Sequence, residues 1–436
     1  MPAQTGHQGM FPGGQAFLLC MLIWLCGSLA QAAEPVPPAA EGMSVAANDA
    51  EAAADGTDLP DPTPAATVAL ATIAPGEIYW ERFGHNMLLV TPPGRETLSF
   101  NFGYFDFEQP GFIRRFILGR MLYQALAFAA EDDLAAYVSD DRGIVVQDLA
   151  LTPRQADDLL RSLVDAVRPE NRDYLYEYFR ANCSTRVRDA IDSALGGGLR
   201  RQTSGRSRGF TYRMHAARLA KDDAWLALSI DLGLGPDTDR RLSLWEEMFI
   251  PGMLQRYLRD VVNSEGEPLV TNERVLHPGR GNAPAELPPD RRTSMAVTGL
   301  SVAVLLLWLS SRARARRGAA RALEFTAFLL HLLFGVAGAV LLFLWLGTDH
   351  VAAHRNENLM LLNPLSLALA ALWLLGPRAT KSGNTLAWLV GLSAMCGLAV
   401  KVVPDTFIQQ NLHWCLLFIP IHVSLLVAWR RSTVTR

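Results

Sequence analysis

The residues of this sequence best suited to covalent chemistry are one cysteine and one histidine, Cys183 and His85. A thiolate is a strong nucleophile, and a nearby imidazole can accept the thiol proton and later donate it to a leaving group. Asn182 belongs to the residue types that cap helices, so Cys183 is expected in the first turn of a helix. The helix dipole and the free N–H groups of that turn would lower the pKa of the thiol and could hold an oxyanion.

Cysteine usage supports this choice. The chain has 5 cysteines, and two of them, Cys20 and Cys26, lie in an apolar leader. Cys396 and Cys415 lie in apolar stretches near the C-terminus, so Cys183 is the lone thiol of the predicted extracytoplasmic domain. In an oxidising compartment a lone thiol is either buried and inert or retained for its reactivity.

A third polar group is expected to orient the imidazole of His85. Asn101, on the strand that returns from the His85 strand, is the first choice, and Asp106 is the second. Either residue could equally be an ordinary turn or sheet-edge residue. The predicted site is therefore Cys183, His85 and Asn101, with the third member open.

No other motif competes with the thiol. His350 and His354 are four residues apart, which could place both imidazoles on one helical face near a metal, but no third ligand is assured. No zinc spacing, phosphate-binding glycine loop, dinucleotide fingerprint or Gly-x-Ser-x-Gly elbow is evident. The sequence therefore predicts neither a metal nor a cofactor.

Two groups of secondary-structure elements must position these residues. Strands over 86–90 and 97–102, joined by the turn 91–94, form a hairpin that begins at His85. A strand over 143–149 leads into Thr152-Pro153-Arg154-Gln155, a capping box that starts a helix of about fifteen residues. The helix that starts at Cys183 carries Val187, Ile191 and Ala194 on the same face and stops at the glycines 196–198.

The ends of the chain predict export and membrane anchoring. Residues 1–32 resemble a signal peptide cleaved after Ala32, with an uncleaved anchor as the alternative because the usual positive charge before the apolar core is missing. Residues 33–67 are rich in Ala, Pro, Asp and Gly, which predicts a disordered linker. An extracytoplasmic domain over 68–260 and a linker over 261–292 follow. Five apolar stretches within 293–430 are each about long enough to cross a bilayer: 294–310, 323–346, 359–376, 385–403 and 411–429.

Charge sets the orientation and limits the partners. Basic residues cluster after the first, third and fifth apolar stretches, at 312–321, 378–381 and 430–436, so these ends are predicted to be cytoplasmic. The N-terminal domain then lies outside the cytoplasm. A formal net charge of −3 gives no indication of nucleic-acid binding.

Four stretches resemble the Lnb-type lipoprotein N-acyltransferases: Phe83-Gly84-His85, residues 101–107, residues 174–188 around Cys183, and residues 245–251. The resemblance implies an α+β papain-like domain of the permuted, NlpC type, followed by a five-helix transmembrane bundle. It also implies that Cys183 and His85 are the catalytic pair.

The resemblance also implies substrates. The outer loop, residues 347–358, is expected to position substrate at the membrane surface through His350, His354 and Asn358, and Arg186 could meet a phosphate. The acyl donor would be a phospholipid and the acceptor the N-terminal cysteine of a diacylglyceryl lipoprotein, at the bacterial inner membrane. The alternatives are a phospholipase, a cysteine peptidase or amidase of the cell envelope, and a non-catalytic membrane receptor.

Overall fold

The computed structural model describes residues 65–106, 108–281, 285–376, 380–403 and 406–434. The predicted signal peptide and the predicted disordered linker up to residue 64 lie outside these residues. Thr67, the last residue assigned to that linker, already begins a strand.

The extracytoplasmic domain is built on one antiparallel sheet of seven strands, ordered β6-β4-β3-β2-β1-β5-β7. The strands are β1 (Thr67–Ile73), β2 (His85–Thr91), β3 (Leu98–Tyr104), β4 (Leu122–Ala129), β5 (Ile144–Leu149), β6 (Asp173–Leu175) and β7 (Val270–His277). The predicted hairpin is confirmed as β2 and β3, and the predicted strand over 143–149 as β5.

Nine α-helices accompany the sheet within the described part of this domain. They are α1 (Phe112–Leu118), α2 (Ala130–Ser139), α3 (Pro153–Val167), α4 (Cys183–Ala194), α5 (Gly198–Thr203), α6 (Tyr212–Leu219), α7 (Ala224–Gly233), α8 (Leu244–Glu247) and α9 (Pro251–Leu258). The α+β class is thus confirmed, and likeness to papain remains a prediction.

Two helix starts match their predicted caps. Thr152 accepts a hydrogen bond from the backbone N–H of Gln155, whose side chain accepts one from the backbone N–H of Thr152. Asn182 and Thr185 make the same reciprocal pair at the start of α4. Such caps satisfy N–H groups that lack helical partners and contribute about 1 kcal/mol each.

Both faces of the sheet are buried, because alternate residues of its central strands point into two separate cores. The first core joins the sheet to α3, α4 and α9 through residues such as Leu70, Leu88, Phe100, Leu163, Ile191 and Leu254. The second core joins the opposite face to α2 through residues such as Ala71, Ile73, Met87, Ile144 and Leu134. Full burial of each large apolar side chain contributes about 1.5–3 kcal/mol.

The predicted linker over 261–292 is partly wrong. Residues 270–277 form β7, which pairs with β5 from Ile144↔His277 to Leu149↔Val270. Six of its eight residues are exposed, so the strand lacks the apolar alternation that a sequence pattern detects. Its backbone pairing with β5, rather than side-chain burial, incorporates it into the sheet.

Four described helices are long and apolar enough to cross a membrane: Arg292–Arg312, Arg317–Gly347, Lys381–Val402 and Leu412–Thr433. The α-helices here are α10 (Arg292–Arg312), α11 (Arg317–Gly347), α12 (Ser366–Leu374), α13 (Lys381–Ala399) and α14 (Leu412–Val434). The five spanning helices predicted from the sequence are therefore confirmed only in part.

The third predicted span, 359–376, was expected to be one spanning helix. Its α-helix is α12, which has only nine residues. At a rise of 1.5 Å per residue, α12 is about 14 Å long, roughly half the hydrocarbon thickness. Pro364 just before it cannot donate a helical hydrogen bond, and Leu365 N–H instead bonds to the Asn363 side chain at 3.0 Å. This segment packs closely on α11, since a Cβ at Gly338 would lie 2.1 Å from the Leu362 carbonyl oxygen.

A buried polar junction joins the extracytoplasmic domain to the membrane helices. Asp231, in α7, accepts hydrogen bonds from His413 and from Trp414 Nε1 (2.9 Å), both in α14. Arg213 bonds to Asp231 Oδ1 at 3.1 Å and to Asp239 Oδ1 at 2.9 Å. Each of these charges is compensated, so the junction fixes one orientation without leaving an unpaired buried ion.

The outer loop extends this junction. Asn356 Nδ2 donates to the Leu232 carbonyl oxygen at 2.8 Å and to that of Gly233 at 3.0 Å. These oxygens lie at the end of α7, where carbonyl groups have no acceptor role within the helix itself. Arg355 forms an ion pair with Asp237 at 2.9 Å. The outer loop therefore contacts the domain that carries Cys183.

Replacing Asp231 with Asn should destabilise this junction. Burial alone raises the pKa of Asp231, but the His413 hydrogen bond and the Arg213 charge outweigh burial and lower this pKa to about 2. The stabilisation is then present above about pH 4 and is lost as the pH falls towards 2. We expect a loss of about 2 kcal/mol at pH 7, which lowers the melting temperature by roughly 4–8 °C in detergent.

The matched control is Asp158→Asn, which removes a surface carboxylate of α3 paired with Arg161. It should change the melting temperature by less than about 2 °C. Equal melting temperatures for Asp231→Asn and Asp158→Asn would show that the junction contributes no more than a surface pair.

Candidate active site

The two residues proposed for covalent chemistry come together from opposite ends of the domain sequence. His85 is the first residue of β2, and Cys183 is the first residue of α4. Their side chains lie close enough to interact directly, and Cys183 is partly exposed to solvent. The thiol is therefore neither buried in the apolar core nor remote from an imidazole.

Asn101 occupies the position predicted for the third residue. Its Oδ1 lies 2.8 Å from His85 Nε2, which leaves Nδ1 as the ring nitrogen that can exchange a proton with the thiol. The pairing Met87↔Asn101 places Asn101 on the same face of the sheet as His85. Asp106, the second choice, instead accepts a hydrogen bond from Glu108 N–H at 2.8 Å in a local turn.

Asp133, which no sequence pattern had predicted as a site residue, extends this series of hydrogen bonds. Its Oδ2 accepts a hydrogen bond from Asn101 Nδ2 at 2.7 Å and another from Ser99 Oγ at 2.6 Å. Asp133 lies in α2, which covers the face of the sheet that carries His85. Its only sequence signal is an acidic run at 131–133, which also suits a helix N-terminus.

The charge balance favours an ionised thiol. Burial alone raises the pKa of Cys183, but the His85 charge, the His85 hydrogen bond and the N–H groups of Asn86 and Ser184 lower it below its ordinary value. Burial lowers the pKa of His85, but Cys183, Asn101 and Asp133 together raise it. The pair is thus stabilised as thiolate and imidazolium.

A β-bulge brings the end of β3 against the thiol. The register shifts between Phe102 and Tyr104, and Gly103 between them has a φ of +96°. A Cβ placed on Gly103 would lie 3.5 Å from the Cβ of Cys183. Glycine tolerates this backbone conformation and lets the strand pass directly beside the cysteine.

Hydrogen-bond donors surround the sulfur. The N–H groups of Cys183 and Ser184 lie in the first turn of α4, where no helical acceptor is available. Burial and then the thiolate charge raise the pKa of the Tyr174 hydroxyl well above its ordinary value, so this hydroxyl stays protonated. Arg186 lies 4.5 Å from the centre of the Tyr174 ring and packs against it.

Aromatic rings lead from the thiol towards the membrane domain. Burial and the thiolate charge raise the pKa of Tyr176, which places it near Cys183, and its ring stacks on Tyr123 at 4.2 Å. The contacts continue from Tyr123 to Phe105 at 5.1 Å and from Phe105 to Phe112 of α1 at 6.4 Å. We call these residues, 105, 112, 123 and 176, the aromatic path.

The outer loop meets the end of this path at α1. Asp349 N–H donates to the Leu118 carbonyl oxygen at 2.8 Å, and Arg120 forms an ion pair with Asp349 at 2.6 Å. Gly119, with a φ of +74°, packs so closely that a Cβ there would lie 2.7 Å from His350 N. The α1 helix is therefore fixed against the membrane domain.

The four residues predicted to bind substrate have protein partners. His350 Nε2 lies 3.1 Å from the Phe116 carbonyl oxygen, and His354 Nε2 lies 3.0 Å from that of Thr348. Asn358 is fully buried and bonds to the Leu232 carbonyl oxygen at 3.1 Å. Arg186 packs on Tyr174. The contacts of His350 and Asn358 join the two domains, whereas that of His354 lies within the outer loop and that of Arg186 within the extracytoplasmic domain. A role of these four residues in substrate binding remains a prediction.

Two family comparisons match the two halves of this architecture. Residues 61–218 match the Lnb N-terminal periplasmic domain, and residues 292–435 match the Lnb transmembrane domain. The chain belongs to the Lnb family. It is an inner-membrane protein whose N-terminal domain is periplasmic. No curated protein and no solved structure matches the chain.

Alkylation of Cys183 should report the charge balance of the candidate active site. The rate of reaction with iodoacetamide, measured on the Cys183 peptide by mass spectrometry, should reach half of its maximum at a pH below the ordinary thiol pKa of about 8.5. Asn101→Ala should move that midpoint upward, because the imidazole loses the partner that orients it.

Asp106→Ala is the matched control, because the described hydrogen bonds of Asp106 join it only to Glu108 and Gln109 in a local turn. Its midpoint should equal that of the unaltered protein. A midpoint near 8.5 in the unaltered protein would contradict an ionised thiol.

Proposed function

We propose that this member of the Lnb family is a thiol acyltransferase that moves an acyl chain from a phospholipid to an amine. The observation that carries the proposal is that Cys183 lies beside His85, which is joined by hydrogen bonds to Asn101 and through it to Asp133, in a periplasmic domain attached to membrane helices. The amine is proposed to be the N-terminal cysteine of a diacylglyceryl lipoprotein, as the family resemblance implies.

In the first step, the Cys183 thiolate attacks the ester carbonyl carbon of the phospholipid. The tetrahedral intermediate then breaks its bond to the glycerol oxygen, and the His85 imidazolium donates its proton to that oxygen. A lysophospholipid leaves, and the acyl chain remains on Cys183 as a thioester. Asn101 holds the ring of His85, and Asp133 stabilises its positive charge through Asn101.

In the second step, the acceptor amine attacks the thioester carbonyl carbon. His85, now neutral, accepts the proton that the amine loses, and the carbon–sulfur bond breaks to release the amide and restore the thiolate. The same imidazole thus serves as acid in one step and as base in the next.

The negative oxygen of each tetrahedral intermediate needs donors that are already in place. The N–H groups of Cys183 and Ser184 at the start of α4 are suited to this role, as is the protonated Tyr174 hydroxyl. Stacking of Arg186 on the Tyr174 ring holds that ring in position.

A lipid substrate agrees with the surroundings of the thiol. The aromatic path leads from Cys183 to α1, and α1 contacts the outer loop of the membrane domain. Ile113 of α1 is 50% exposed, which leaves an apolar side chain of this helix available for contact with lipid. A phospholipase would use the same residues with water as the acceptor, so experiment must separate the two.

Incubation of the purified protein with a phospholipid should leave an acyl group on Cys183. Mass spectrometry should find the added acyl mass on the Cys183 peptide, and the mass should disappear after addition of a diacylated lipopeptide as a triacylated product forms. Cys183→Ala should form neither species, whereas Cys396→Ala, which removes a cysteine of α13, should form both.

The identity of the released product separates the alternatives. Free fatty acid formed at the same rate with and without lipopeptide would indicate a phospholipase. Full transfer by Cys183→Ala would exclude the thiol mechanism, and the lack of any adduct or product would favour a peptidase or a receptor.

Tyr174→Phe tests the proposed oxyanion donor by removing one oxygen atom. We expect the rate of acyl-adduct formation to fall by roughly 10²-fold, in line with the loss of one such donor. The alkylation midpoint of Cys183 should change little, because the hydroxyl acts on the intermediate. Tyr123→Phe, which removes the hydroxyl of a tyrosine in the aromatic path, is the control and should keep most of the rate.

A further inference from the structure

A cavity in the periplasmic domain is lined by many positive charges and does not include the residues of the candidate active site. Its volume is about 750 Å³, and α4, α5 and the segment 240–246 form its walls. Its lining includes six arginines: Arg180, Arg188, Arg200, Arg206, Arg240 and Arg241. Glu246 is the only carboxylate in this lining.

Most of this charge is not neutralised by the protein. Glu246 pairs with Arg240 at 2.6 Å, and Arg188 pairs with Asp189 at 2.7 Å. The other four arginines form no ion pair with any residue in the described ranges. Like charges placed around one cavity repel each other, so an anion that enters it would relieve that repulsion.

One wall of the cavity is held in place without any ligand. The guanidinium of Arg188 lies 3.9 Å from the centre of the Trp245 ring and donates to the Trp245 carbonyl oxygen at 2.9 Å. Arg200 approaches the same ring at 5.6 Å. A guanidinium that is already oriented loses less entropy when it binds an anion.

We propose that this cavity is a binding site for a phosphate-bearing anion. Guanidinium groups approach it from several walls, which suits the tetrahedral phosphate group with its several acceptor oxygens better than a planar carboxylate. Neutral ligands would leave the four unpaired charges without compensation.

The position of the cavity allows two sources for such a phosphate. Arg180 is three residues from Cys183, and Arg240 follows Asp239, whose carboxylate accepts a hydrogen bond from Gln410 N–H of the membrane domain at 3.1 Å. The phosphate could therefore belong to a lipid headgroup at the membrane surface or to a soluble phosphate ester. The site itself does not depend on the proposed acyl transfer.

Calorimetric titration of the full-length protein in a non-ionic detergent tests this site. The probes are pyrophosphate and, separately, dihexanoyl phosphatidylglycerol below its critical micelle concentration, both at constant ionic strength set with sodium chloride. We expect at least one probe to bind. Arg206→Gln with Arg241→Gln should weaken that binding at least tenfold, and Arg180→Gln with Arg200→Gln should do the same.

Arg154→Gln with Arg161→Gln is the matched control, because it removes the same charge from exposed positions of α3. Its binding should be unchanged. Binding of pyrophosphate would support a soluble phosphate ester, and binding of the lipid alone would support a headgroup. Absence of binding by either probe, or equal weakening in the control, would overturn the proposal.

Cys183→Ala should bind both probes like the unaltered protein. If acyl transfer fails in every assay while the arginine variants still lose binding, the anion site stands without the proposed function. If acyl transfer succeeds while the arginine variants bind the probes as the unaltered protein does, the anion site is excluded and the thiol chemistry stands.

Discussion

The close approach of Cys183 to His85 is the contact on which the candidate active site depends, because a proton passes between two groups only when their side chains are adjacent. The two residues are almost a hundred positions apart, so the fold must bring them together. Asn182 Nδ2 bonds to the Phe249 carbonyl oxygen at 2.9 Å, and Ser184 Oγ bonds to that of Met248 at 2.6 Å. These bonds fix the first turn of α4, while the sheet fixes His85.

A second requirement is a fixed orientation towards the membrane. The domain contacts the membrane helices through charged and amide side chains, and the acceptors include the carbonyl oxygens that end α7. Directional contacts of this kind specify one orientation, whereas an apolar contact would permit sliding. The aromatic path therefore ends at a defined place beside the outer loop.

The sequence predicted the elements that have strong local signals. The β2–β3 hairpin, the cap of α3 and the start of α4 depend on alternation, proline and capping residues, and Asn101 followed from its place on the returning strand. The signals for β1 and β7 were weak, because β1 follows an alanine-rich stretch and β7 is mostly exposed. Asp133 was missed because its contact with Asn101 depends on how α2 packs across the sheet.

Gly119 is a small residue that controls how closely α1 approaches the outer loop of the membrane domain. Its contact with His350 leaves no room for a side chain between α1 and the outer loop. An added methyl group would force α1 and the outer loop apart. The periplasmic domain would then sit differently on the membrane helices, although no residue of the thiol site itself had changed.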